Sequence, residues 1–149
     1  MKLGIIIVFD SFESPILKEE LISKINELSD VTFCLVNNKC DDRTTHFLSE
    51  ISECCSNANV INIRRGKSVN SATRAGARFL YNQFNLMHMG FINCLSNIDI
   101  IEIFELFKVN QEKILSRIIN ERIEKGIKQT LFKRLFCINE YLVDLKAVG

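Results

Sequence analysis

The chain has one proline, no tryptophan and only six glycines in 149 residues. That scarcity excludes a collagenous chain and a Pro/Gly-rich low-complexity one. An excess of one charge is missing too: Lys+Arg 19 stand against Asp+Glu 18, a formal net charge of +1. No global field draws the chain to nucleic acid, which we exclude as a partner. Long apolar runs are also absent. Residues 3–9 (LGIIIVF) fall far short of the ~20 residues of a membrane-spanning helix. One lysine precedes them and no small-residue cleavage site follows, so they do not read as a signal peptide. Six cysteines (Cys34, Cys40, Cys54, Cys55, Cys94, Cys137) form no C-x-x-C pair and no Cys/His cluster at zinc spacing. Reduced, mostly buried thiols and a cytoplasmic location are the expectation. What is present, 47% hydrophobic and 25% charged residues, suits one globular domain.

Residues 3–9 are a continuous β-branched run, the pattern of a strand covered on both faces. Ser14-Pro15 opens a helical pattern, with Leu17, Leu21, Ile25 and Leu28 on one face and proline in the first turn. Residues 31–36 (VTFCLV), 59–63 (NVINI) and 87–92 (MHMGFI) read as further strands. Residues 45–55, 68–84 and 99–108 read as the helices between and after them. This alternation predicts a three-layer α/β/α sandwich with a mostly parallel sheet. The last third reads differently: a short fifth strand over residues 111–115, then helix over 118–145 with a break at Gly126. We therefore divide the single domain into an α/β core, 1–110, and a basic amphipathic helical tail, 111–149. Ligands of such folds bind outside the carboxyl ends of the strands, so the segments that follow the strands carry the functional reading.

The second strand runs into VNNKCDDRTT (residues 36–45), whose Asp42 and Thr44 suit either a helix cap or a ligand contact. The third runs into RRGKSVNSATRAGAR (residues 64–78), with five basic residues and no acidic one. Gly66-Lys67-Ser68 is no P-loop, because Ile61 stands where that motif requires glycine. What remains is a basic, glycine-containing loop before a helix, suited to phosphate oxygens, or an ordinary solvated basic face.

These segments together resemble the inverting family 2 glycosyltransferases, which have the GT-A fold and bind nucleotide sugars. Val36, Asp42 and Thr44 match the family's V-D-D-G-S-x-D-x-T motif. Gly66, Ala72 and Gly76 match N-x-G-x-x-x-A-x-x-x-G. GFINCLSN (residues 90–97) is similar to G-F-L-D-A-D-L-S-T, and ILSR (114–117) to I-G-S-R of the polyprenyl-phosphate sugar transferase branch. The resemblance implies a UDP- or GDP-linked sugar as ligand. Asp10, Ser11, Asn38 and Asp42 would face the nucleotide, and Arg65 and Lys67 the diphosphate. It also implies Mg²⁺ or Mn²⁺ beside the diphosphate, and an acceptor-binding segment beyond residue 149.

The chain departs from the family where the carboxylates stand. Asn37 and Asn38 occupy the positions of two aspartates, Asn93 that of the first metal-binding acid, and Leu95 or a gap that of the second. Asparagine is a poorer ligand for a hard cation, so no tight metal site is expected. The first loop, VFDSFE, lacks the family's proline and tyrosine. No residue aligns with the catalytic base: Glu102, Glu105, Glu112 and Asp144 are candidates only by being acidic. Two functions follow: sugar transfer from a nucleotide sugar, or a catalytically inactive scaffold or regulatory partner. An unrelated α/β receiver would need clustered acids after the first strand, which Asp10 alone does not supply. His46 and His88 form no constellation. Residues 113–135, basic with interleaved Ile and Leu, read as a helix packed on the sheet, or one docking on a membrane surface or protein partner.

Overall fold

The computed structural model describes residues 3–10, 15–39, 41–92, 100–125 and 135–144. Their order is β1 (Leu3–Phe9), α1 (Pro15–Glu27), β2 (Val31–Asn37), α2 (Asp42–Cys54), β3 (Ala58–Asn62), α3 (Val69–Gln83), β4 (His88–Ile92), α4 (Ile100–Lys125), β5 (Leu135–Cys137) and α5 (Ile138–Asp144). The five strands form one sheet in the order β3-β2-β1-β4-β5, and every pairing is parallel. β1 lies at its centre with all seven residues buried. That is the reason for its unbroken apolar run: both faces and both edges are covered.

Alternate residues of the strands feed two cores. Leu3, Ile5, Ile7 and Phe9 join Phe33 and Leu35 against α1, α2 and α4. Ile6 and Val8 join Cys34 and Val36 against Ala72, Ala77 and Leu80 of α3. Among the described helices, α3 alone covers that second face. It sits close: a methyl group added at Gly76 would lie 2.7 Å from Ile6 Cγ2 and 3.0 Å from Val36 Cγ2.

The last third corrects two expectations. Residues 111–115 are not a strand but part of α4, which runs unbroken over 26 residues. Its Ile114, Leu115 and Ile118 continue the buried stripe of Phe104 and Phe107 into the core. Nor is 118–145 one helix: α4 ends at Lys125, and Leu135–Cys137 pairs in the sheet as its fifth strand before α5 begins. Helix 113–135 is thus, in its described part, the second half of α4. Of the cysteines, Cys34, Cys55 and Cys137 are buried free thiols and Cys54 an exposed one; Cys40 and Cys94 lie outside the described residues. No described helix is long and apolar enough to cross a membrane.

Candidate functional site

Three segments meet at the carboxyl ends of β1, β2 and β3. Parallel pairing brings them level: Phe9 is opposite Asn37, and Asn37 opposite Asn62. The ladder then runs one residue further. Asn38 N–H donates to the Phe9 carbonyl (2.9 Å), and Ile63 N–H to the Asn37 carbonyl (3.0 Å). Beyond that point side chains take over from backbone.

Asn38 is the centre of the junction. Its side chain accepts from the Lys67 N–H (2.9 Å) and donates to the Lys67 carbonyl (2.7 Å), pairing with both backbone groups as a neighbouring strand would. The same amide donates to Asp10 Oδ1 at 2.6 Å. Asn38 therefore clasps the β1 exit and the β3–α3 loop together, and it is buried while doing so. Gly66 permits the approach, since a Cβ there would stand 3.3 Å from the Asn38 carbonyl oxygen. Its neighbour Asn37, fully buried, donates to Thr45 Oγ1 (3.0 Å) and Asn62 Oδ1 (2.9 Å) and accepts from the Lys39 N–H (3.3 Å).

The structure thus joins Asp10, Asn38 and Lys67 in one hydrogen-bonded group. Arg64, Arg65 and the Lys67 side chain are exposed on the loop above it, which ends where Ser68 caps α3 by accepting from Ser71 N–H. Asp42 is exposed in the first turn of α2; the cap is the residue before it. Asp41 accepts from Thr44 N–H at 2.7 Å. Ser11 and Asn93 lie outside the described residues. Two adjacent aspartates precede the helix, and only backbone geometry decides which one caps. Asn62 and Thr45, which complete the Asn37 network, carry no signal in sequence because their role exists only after β2 and β3 pair.

The position suits a ligand. The order β3-β2-β1-β4 places a topological switch point beside β1, where chain connections leave in opposite directions and open a crevice. Asp10 closes β1 at that crevice. The loop's cations and the first amides of α3 offer positive potential to an anion there. A divalent cation fits this junction poorly. Asn37 and Asn38 spend their amides on protein partners, and Asp10 shares its carboxylate with Asn38. The described residues contain no group of three or more His, Cys, Asp and Glu that could hold a metal. Thiol chemistry is disfavoured too, since burial pushes the Cys34 thiol up to about 12. The separate groove between α1 and α4, about 460 Å³, is rimmed by charges already paired, Lys24 with Glu105 (3.1 Å) and Lys108 with Glu27 (3.3 Å).

The cap makes a pH prediction. Thr44, through its amide and then its hydroxyl, holds the Asp41 carboxyl below its ordinary 3.8. A carboxylate whose folded value is depressed stabilises fully above the unfolded value and loses that contribution as pH falls through the folded one. Asp41→Asn keeps an acceptor but does not titrate. Wild type should therefore lose thermal midpoint relative to D41N between about pH 5 and about pH 2. A difference that stays constant over that range would show that the carboxylate is not the cap.

The chain matches no protein-family model, and a search of curated proteins finds no match for it.

Proposed function

We propose that this chain binds a nucleotide sugar at the carboxyl ends of β1, β2 and β3 and transfers the sugar in the manner of a family 2 glycosyltransferase of GT-A type. The observation that carries the reading is the Asn38 clasp. It fixes the basic loop 64–67 against the exit of β1 at the switch point, where a diphosphate between nucleoside and sugar would lie. Arg65 and Lys67 present their charges to the diphosphate, and Asp10 and Asp42 supply acceptors for the nucleoside. Asn38 is a positioning residue, since its amide is committed to protein. In the transfer an acceptor hydroxyl attacks the anomeric carbon, the bond to the diphosphate breaks, and the cations meet the charge on the leaving group.

Asn37 and Asn38 favour a second reading, binding without effective transfer. Both stand at the family's aspartate positions, and both serve as internal hydrogen-bond partners. Calorimetric titration with UDP, GDP and their sugar conjugates, with and without Mn²⁺, tests the binding itself. Micromolar binding that Mn²⁺ does not strengthen is expected, weakened about tenfold by Arg65→Ala or Lys67→Ala, the loss of one charged hydrogen bond to phosphate. Release of nucleoside diphosphate from the bound conjugate on adding acceptor separates transfer from binding alone. No binding of any of the four ligands by folded protein contradicts both readings.

A further inference from the structure

The net charge of +1 conceals a strong asymmetry. Residues 54–98, which supply β3, α3 and β4, hold five of the 19 basic residues and none of the 18 acidic ones. The fold turns this into a surface. α1, α2 and α4 pack on one face of the sheet and bring Glu20, Glu27, Glu53, Glu102, Glu105 and Glu112 with them. α3 covers the other face, and its buried side consists of Ala72, Thr73, Gly76, Ala77 and Leu80. Its outward stripe carries Arg74, Arg78 and Tyr81 at helical spacing.

The same face is where apolar side chains are left in water. Five large hydrophobics are exposed among the described residues, and three follow one another at the C-terminal end of α3: Tyr81 (60%), Phe84 (36%) and Met87 (61%). Phe84 is held against Phe79, ring centroids 6.4 Å apart, so the cluster is a fixed feature of the surface. Basic residues beside exposed aromatic and thioether side chains match an interface with anionic headgroups outside and acyl chains beneath. An acidic protein or a polyanion would meet the charge but leave the apolar cluster uncovered.

The geometry points to α3 as a membrane-docking face: the chain binds anionic bilayer surfaces in a plane along α3, with Arg74 and Arg78 at the headgroups and Tyr81, Phe84 and Met87 in the interface. This surface is independent of the nucleotide site.

Flotation of the full chain with vesicles of pure phosphatidylcholine, and of phosphatidylcholine with phosphatidylserine, tests it. Binding to the serine-containing vesicles alone is expected, falling as salt shortens the screening length. One Arg at such a surface is worth roughly fivefold in partitioning. Arg74→Glu with Arg78→Glu should therefore cost more than about tenfold. Tyr81→Ser with Met87→Ser, on side chains the fold does not bury, should weaken binding several-fold while leaving its salt dependence in place. Circular dichroism establishes that each variant is folded. No binding to anionic vesicles at low salt overturns the proposal. Unchanged binding in either double variant does so too, as does capture by a soluble polyanion such as polyglutamate without capture by vesicles.

Discussion

Asn38→Asp is expected to destabilise the protein by about 2–3 kcal/mol, although it changes neither volume nor backbone. The amide is used in both senses: its oxygen accepts from Lys67 N–H, and its nitrogen donates to the Lys67 carbonyl and to Asp10. A carboxylate keeps only the acceptance. The Lys67 carbonyl loses its donor, and two carboxylates face each other where a 2.6 Å hydrogen bond stood. Like charges at that range force one to take up a proton. Adding Asp10→Asn to the variant gives the new carboxylate an amide donor and should restore about 1 kcal/mol, with the Lys67 carbonyl still unmatched. Urea unfolding of the two single variants and the double variant measures each step. Stability of Asn38→Asp within about 0.5 kcal/mol of wild type would show that the clasp does not hold the loop.

Gly76→Val should cost about 3 kcal/mol or more, and Gly76→Ala about 1–2 kcal/mol. In isolation a helix gains about 1 kcal/mol when glycine becomes alanine, so packing must overcome propensity here. The added carbon would meet Ile6 Cγ2 at 2.7 Å and Val36 Cγ2 at 3.0 Å, branch methyls of fully buried side chains on the two central strands. β-branched side chains have little rotamer freedom to yield, so α3 must lift from the sheet. Gly4→Ala is the control. Its added carbon would come nearer still, 2.6 Å from Leu86 Cδ1 and 3.0 Å from Leu80 Cδ1, but these are far ends of flexible chains. It should cost less than about 1 kcal/mol. Equal losses at Gly4 and Gly76 would mean that the tight seat of α3 is not what glycine provides. Because α3 follows the loop 64–68, a lifted helix should also weaken ligand binding.

The first four strands are legible in the sequence because each is an apolar run closed by polar residues, and because helical periodicity separates them. The fifth is not. Leu135–Cys137 has three residues, too few for any alternation, and it is a strand only because the edge of β4 accepts it. The strand expected at 111–115 fails for a related reason: Ile114 and Leu115, read alone, look extended, whereas with Phe107 and Ile118 they continue one face of a helix. At the site, the composition of the loop 64–67 and the polar exit of β2 are visible in sequence. The clasp is not, because Asn38 and Lys67 are 29 residues apart and meet only through the parallel pairing of β2 with β3. The close fit at Gly66 and Gly76 belongs to that same level: the sequence pattern shows small residues, and the packing shows what each one admits.

Amide chemical-shift mapping of the folded protein on addition of UDP and of GDP tests the central claim most directly. The account predicts that one of the two moves the resonances of Asp10, Asn38 (side-chain amide included), Arg65, Lys67 and the first turn of α3, and leaves the far groove at Lys24, Leu28 and Lys108 unmoved. Shifts confined to that groove, or no shifts with either nucleotide, would contradict it.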